Sequence, residues 1–115
     1  MPGGIQVVDV KSDMPMADRA VRRVHNALVA ARASGAAALK IVHGYGSAGV
    51  GGRIRSEARK YLEDQRRRGK LRGVIPGEAF SIFDQATLRA FEFCPDLRRD
   101  SDLGRENNGV TIVVL

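Results

Sequence analysis

The sequence is poor in the residues that build several common kinds of site. Its 115 residues include one cysteine, two histidines and no tryptophan. The single Cys94 excludes an internal disulfide and a zinc site built from cysteines, and two histidines argue against a histidine-rich metal site. We therefore predict no metal-ligating residues. No cofactor is evident, and the sequence leaves a divalent-metal requirement open.

Long apolar runs are also missing. No stretch approaches the roughly 20 apolar residues that a membrane span needs, and the first residues lack the basic-then-apolar pattern of a secretory signal. We therefore expect a cytoplasmic protein without a membrane partner. The length predicts one domain over residues 1–115 with a modest core.

Positive charge is abundant but unevenly distributed. The formal net charge is +6. Residues 16–72 hold 14 Lys/Arg and 4 Asp/Glu, a net of +10, whereas the remaining residues hold 5 Lys/Arg and 9 Asp/Glu, a net of −4. A concentrated basic region favours a phosphate-rich polymer as partner over an acidic small molecule. A merely solvated basic surface is the alternative.

Hydrophobic periodicity predicts alternating strands and helices. The predicted strands are Ile5–Val10, Ala38–Val42, Leu71–Ile75 and Val110–Leu115. The predicted helices run from a cap at Ser12 or Asp13 to about Ala33, from about Gly52 to Arg68, and over Gln85–Phe93 with Asp84 as cap. Asp96–Arg105 is predicted as a charged connection. This order predicts an α/β fold, a small two-layer β-α-β-α-β sandwich with a mixed, centrally parallel sheet.

The segment between the second strand and the second helix is rich in glycine, with five glycines between Gly44 and Gly52. Unpaired N–H groups at the start of the following helix favour an anion in such a loop. Arg53 and Arg55 precede any acid in that helix, so they oppose the helix dipole unless a phosphate binds nearby. The predicted phosphate-binding residues are Lys11, Gly44, Tyr45, Gly46, Ser47, Gly49, Arg53 and Arg55. Tyr45 could stack on a base or pack against the protein.

Two familiar phosphate-binding motifs do not apply to this loop. The Gly44–Gly49 segment matches G-x-G-x-x-G literally, but it follows the second strand, and no acid-tipped strand comes next. The chain is also too short for two mononucleotide-binding halves. No G-K-[ST] follows, which excludes a P-loop.

The tetrapeptide His43-Gly44-Tyr45-Gly46 closes a strand and opens a helix, after a β-α unit whose first strand ends in an acid. This arrangement resembles the Smr (small MutS-related) domain family, with its His-Gly-x-Gly motif. The resemblance covers Ile5 to about Arg68 and the closing 109–115 strand, while the connection at about 69–108 is longer than usual and unmatched. It implies a β-α-β-α-β-β sandwich that binds DNA or RNA and often nicks or cleaves it, in some members on messenger RNA at stalled ribosomes.

One part of the family pattern differs in this sequence. The family's first strand usually carries Leu-Asp-x-His, whereas the matching positions here are Val8-Asp9-Val10-Lys11. The resemblance implies that Asp9 and His43 are catalytic, because both follow neighbouring parallel strands and a nuclease needs an acid and a base. Lys11 can neutralise a phosphorane but is a poor base, so cleavage stays open while phosphate binding is expected.

The leading function is binding of nucleic acid, either RNA or nicked and branched DNA, with structure-selective endonuclease activity left open and the ribosome as a candidate partner. Sequence-specific readout is not expected, because no recognition helix is evident. Two alternatives stay open, a small-molecule enzyme or sensor that binds a nucleotide phosphate in the same loop, and a protein-interaction module. The basic run Arg66–Lys70 is interpreted as a solvated helix end, where cations suit the dipole.

Overall fold

Strands and helices alternate along the chain as the hydrophobic pattern predicts. The computed structural model describes residues 3–45 and 49–115, and the predicted loop residues Gly46 and Ser47 lie outside them. The elements are β1 (Ile5–Asp9), α1 (Ala17–Ala33), β2 (Ala38–Val42), α2 (Gly49–Arg67), β3 (Gly73–Pro76), α3 (Gln85–Phe93) and β4 (Val110–Val114). Two 3₁₀ helices, Gly77–Ala79 and Pro95–Arg99, flank α3.

The described strands form one mixed sheet in the order β1-β2-β4-β3. β1 and β2 are parallel, and β4 is antiparallel to both β2 and β3. The predicted α/β sandwich with a mixed sheet is therefore confirmed; its parallel pair is β1–β2, and the two middle strands β2 and β4 are antiparallel. Consequently β1, β2 and β3 end, and β4 begins, at the same edge. We call this the loop edge, formed by Asp9–Lys11, His43–Tyr45, Gly77–Glu78 and Asn108–Gly109.

Apolar side chains cover both faces of the sheet, because the side chains of a strand alternate between the two faces. On one face, α1 and α2 pack on the sheet, and the buried residues include Val24, Leu28, Leu39, Ile41, Ile54, Leu62 and Val113. On the other face lie Ile75, Phe80, Phe91, Leu97 and Ile112. The connection that the family resemblance did not cover thus has a structural role, since it supplies α3 and the cover of the second face.

Helix α1 begins later than predicted. It starts at Ala17, and its N-cap is Met16 rather than Ser12 or Asp13. The carboxylate of Asp9 accepts the backbone N–H groups of Lys11 and Ser12, and Asp13 and Met14 follow with φ of 65° and 45°. A helix cannot include residues with positive φ, so this turn delays its start.

The other predicted boundaries are correct to within a few residues. Helix α2 begins at Gly49, three residues before the predicted start at Gly52, because the packing of its apolar face outweighs the poor helix propensity of glycine. Strand β3 begins at Gly73 rather than Leu71, whose side chain is buried in the core. The cap of α3 is confirmed, since the Asp84 side chain accepts the N–H of Thr87.

The predicted charged connection at Asp96–Arg105 is partly buried. It contains the second 3₁₀ helix, whose Leu97 is fully buried, and two acids that contact Lys40 on β2. No helix within the described ranges is long and apolar enough to cross a membrane.

Candidate nucleic-acid interface

Asp9 ends β1 with an accessible carboxylate. Its Oδ1 accepts the N–H of Lys11 at 2.8 Å and that of Ser12 at 3.0 Å, and its Oδ2 lies 3.5 Å from Lys11 Nζ. Burial alone would raise the pKa of Asp9, but the two backbone N–H groups and the Lys11 ammonium lower it further than burial raises it. About two fifths of each side chain is exposed, so both groups can meet a ligand.

His43 follows β2 and is almost completely buried, with 1% of its surface exposed. Its Nδ1 lies 2.9 Å from the Gly44 carbonyl oxygen, and its Nε2 lies 2.8 Å from Thr111 Oγ1. A carbonyl can only accept, so Nδ1 donates to Gly44 and Nε2 accepts the hydroxyl hydrogen of Thr111. Burial lowers the pKa of His43 to about 4, and the charges of Arg59 and Arg55 act in the same direction. At neutral pH His43 is therefore an uncharged imidazole with both nitrogens engaged.

Arg59 extends this network, and sequence reasoning did not identify it. Its Nε donates to Thr111 Oγ1 at 3.0 Å, which leaves the hydroxyl hydrogen free for His43. Its two terminal nitrogens bind the carboxylate of Glu78 at 2.7 and 2.8 Å, and Nη2 also donates to the Val110 carbonyl. Arg59 thus joins α2 to the turn after β3, through its bidentate pair with Glu78, and to the start of β4, through the Val110 carbonyl.

Gly44 is favoured by its backbone conformation and lies against the side chain of Lys11. Its φ is +78°, which disfavours any residue with a Cβ, and a Cβ at this position would lie 2.9 Å from Lys11 Cδ. The N–H of Gly44 donates to the Gly109 carbonyl at 2.9 Å. The stem of Lys11 therefore lies over Gly44, beside the His-Gly turn.

The exposed part of the loop edge carries an aromatic ring and cations. Tyr45 has 64% of its surface exposed, which favours the stacking interpretation over a packing role. Helix α2 begins at Gly49 and has no acid in its first turn. Arg53 is exposed and Arg55 is half-buried, and within residues 3–45 and 49–115 neither forms a salt bridge.

Comparison of the sequence with known protein families shows the family of this chain. The sequence model of the Smr domain matches residues 14–79, which is more than half of the chain. The chain belongs to the Smr domain family. No curated protein and no solved structure matches it.

The matched range includes the His-Gly-x-Gly turn of this Smr domain and extends beyond Arg68, where the resemblance in the sequence ended, to Ala79. It begins after Asp9 and Lys11 and ends before Thr111. Two side chains next to the His-Gly turn therefore come from segments outside the match. They are Thr111, which donates to Nε2 of His43, and Lys11, whose stem lies over Gly44. The fold brings both to the loop edge.

The two predicted catalytic residues of this Smr domain have different surroundings. Asp9 is opposite Val42 in the parallel register, and His43 is one residue further along. Strand alternation therefore directs the two side chains toward opposite faces, and among the described residues no hydrogen bond joins them. Asp9 is the accessible group, and His43 faces α2.

The acidic, histidine and cysteine side chains of this Smr domain are dispersed over the described residues. In the parts of the chain that the structure describes, no group of three or more His, Cys, Asp or Glu side chains is placed to hold a metal ion.

Proposed function

We propose that this Smr domain binds RNA or structured DNA at the loop edge. The observation that carries the proposal is the exposed Tyr45, which directly follows the His-Gly turn and lies at the same edge as the Lys11 ammonium. A base can stack on the ring of Tyr45, and the ammonium and the start of α2 can bind phosphates. The predicted contacts at Gly44, Gly46, Ser47, Gly49, Arg53 and Arg55 belong to the same proposal.

His43 acts as a positioning residue in this proposal. Its imidazole donates to the Gly44 carbonyl and accepts from Thr111, so it holds the turn that presents Tyr45 and supports Lys11. A buried, neutral imidazole with both nitrogens occupied contributes by fixing that backbone geometry, as a supporting hydrogen-bond network does around a binding site.

Charge reversal at the start of α2 tests the binding proposal. Arg53→Glu together with Arg55→Glu should weaken binding of RNA and of single-stranded DNA about equally. The slope of log affinity against log salt should fall by roughly one to two units, because two phosphate contacts are lost. The matched control is Arg98→Glu with Arg99→Glu, which makes the same charge change at two exposed residues elsewhere. An equal loss of affinity in both variants would show that net charge, rather than the start of α2, determines binding. Unchanged affinity in a folded test variant would contradict the proposal.

Cleavage of the bound strand is a second candidate function, and the exposed, ionised carboxylate of Asp9 beside the Lys11 ammonium favours it. We expect Asp9→Asn to slow cleavage of labelled RNA or DNA about 100-fold, as loss of an acid–base group does, with binding retained. His43→Asn should weaken binding and cleavage together, because it acts through Gly44. The assay includes arms with and without divalent metal. Cleavage that is unchanged in Asp9→Asn would place any activity elsewhere.

A further inference from the structure

A second basic site lies at the opposite edge of the sheet from the loop edge, where β3 begins and β4 ends. A cleft of about 190 Å³ opens there between α3 and the start of β3. Its charged lining residues are Arg66, Arg72 and Arg89, and Phe93 supplies an aromatic wall. The lining includes no acidic side chain. This combination of cations and an aromatic ring is suited to an anionic ligand with a planar part.

Two of the three arginines are available to a ligand. Arg66 is held by Glu63 one turn earlier, through both Nε and Nη2. Arg72 and Arg89 are exposed, and neither forms a salt bridge with any residue that the structure describes. Guanidinium groups bind phosphate in a bidentate manner, so these two side chains can bind one phosphate or two successive ones.

Phe93 and Arg72 together form a stacking platform. The guanidinium carbon of Arg72 lies 4.6 Å from the centre of the Phe93 ring, and 43% of Phe93 is exposed. Bases in single-stranded nucleic acids stack on aromatic rings and on guanidinium planes. A base placed on this pair would extend an existing stack, whereas an acidic peptide would bring charge but no ring to occupy it.

The neighbouring basic run does not provide the same kind of site. Arg67 and Arg68 both pair with Asp64 on the same helix, and their side chains are 68% and 64% exposed. This supports the interpretation of the run as a solvated helix end. The cleft differs because part of its wall comes from α3, which begins at Gln85, after the Smr match ends at Ala79.

We propose that this cleft binds one nucleotide of a single-stranded nucleic acid, with Arg72 and Arg89 on its phosphates and its base stacked on the Arg72–Phe93 pair. The proposal deepens the proposed function, because the same polymer would occupy both edges. Strand β4 connects them, since Val110 lies next to the loop edge and Val114 lines the cleft. Four steps along a strand span about 13 Å, which is the separation of the two ends of β4 that one nucleic acid would bridge over the surface.

Two single-tryptophan variants test the cleft separately from the loop edge. Because the chain has no tryptophan, Phe93→Trp places one reporter in the cleft, and Tyr45→Trp places one at the loop edge. We expect a short oligouridylate to quench the Phe93→Trp fluorescence saturably, because a base stacks on the indole. Inorganic polyphosphate and polyglutamate supply charge without a base, so they should not quench it.

Each outcome assigns a result to one of the two sites. Quenching in Phe93→Trp supports the cleft, and its persistence after Arg53→Glu with Arg55→Glu shows that the cleft binds independently of the loop edge. Quenching in Tyr45→Trp alone overturns the cleft and leaves the proposed function intact. Absence of oligouridylate binding overturns the cleft, and absence of binding to branched DNA as well overturns the proposed function. Equal quenching by polyglutamate also overturns the cleft as a nucleotide site, because an acidic protein segment would then be its occupant.

Affinity measurements on variants of the cleft complete the test. Phe93→Ala should weaken oligouridylate binding about tenfold, as loss of one stacked base does, while Phe93→Tyr should retain it. Arg72→Glu with Arg89→Glu should weaken binding and lower the salt slope, and Arg98→Glu with Arg99→Glu is again the charge-matched control. Melting curves establish that each variant is folded. Parental affinity in a folded Phe93→Ala and in the folded charge-reversal variant would overturn the proposal.

Discussion

Lys40 lies on β2, and His43 is the first residue after that strand. Both side chains are almost fully buried, with 8% and 1% of their surfaces exposed. Lys40 contacts Asp100 and Asp102 on the face covered by α3. His43 contacts Thr111 on the face covered by α2. Burial alone would lower the pKa of both bases, yet the pKa of Lys40 is raised and that of His43 is lowered because their neighbours differ.

The neighbours decide the charge in each case. Burial would lower the pKa of Lys40, but hydrogen bonds and attraction from Asp102 and Asp100 raise it overall. Around His43, burial is reinforced by the positive charges of Arg59 and Arg55, and the pKa falls to about 4. The comparison shows that a buried base can stabilise the fold as a paired cation, as Lys40 does, or fix the backbone of the loop edge as a neutral hydrogen-bonding group, as His43 does.

The largest expected effect comes from breaking the ionic cluster. Lys40→Met should lower the free energy of unfolding by about 3–5 kcal/mol, because Asp100 and Asp102 are left with little solvent and without their ammonium partner. Denaturant unfolding at pH 7 measures it. The control adds Asp100→Asn and Asp102→Asn to Lys40→Met and should recover part of the loss, since no uncompensated charge remains. A loss below about 1 kcal/mol would mean that the cluster is solvated rather than buried.

A smaller effect separates the two systems by pH. The unfolded chain binds a proton at His43 near pH 6.5 while the folded chain does so only near pH 4, so stability is constant above this window and falls as pH drops through it. The difference amounts to about 3 kcal/mol between the two limits. Asp102, whose pKa is lowered overall although burial alone would raise it, loses its contribution only below its own unfolded pKa. Asp102 therefore adds no pH dependence to the stability between about pH 6.5 and 5.

The control for the pH effect is His43→Asn, which cannot titrate. Unfolding measured between pH 8 and 5 should show a stability decrease in the parent that the variant lacks. A parent with flat stability over this range, or a variant with the same decrease, would contradict the neutral, buried state of His43.

The sequence predicted the parts of this Smr domain that local patterns encode. Apolar alternation and periodicity located the strands and helices, and the His43-Gly44 pair marked the loop edge correctly. The sequence predicts the Ala38–Val42 strand without a particular role for Lys40, and it places Asp100 and Asp102 in a charged connection. A buried ion pair is encoded by two distant segments, Lys40 and Asp100–Asp102, so no local pattern indicates it.

Arg59 is the corresponding omission at the loop edge. In the sequence it is one of many cations in a basic helix, and nothing local distinguishes it from Lys60 or Arg66. Its partner Thr111 is 52 residues away along the chain. Likewise, His43 is buried because β4 lies next to β2. The order of the elements along the chain did not determine that pairing. Topology, rather than composition, decided which cation would become structural.

The most direct test of the central claim is one NMR titration of the ¹⁵N-labelled protein with oligouridylate at neutral pH. The account predicts chemical-shift changes at the amides of Lys11, Gly44 and Tyr45, which lie at the exposed part of the loop edge. It also predicts that the His43 ring nitrogens show a neutral imidazole with the hydrogen on Nδ1, before and after binding. Unperturbed loop-edge amides at saturation, or a His43 ring that is protonated at neutral pH, would contradict the account.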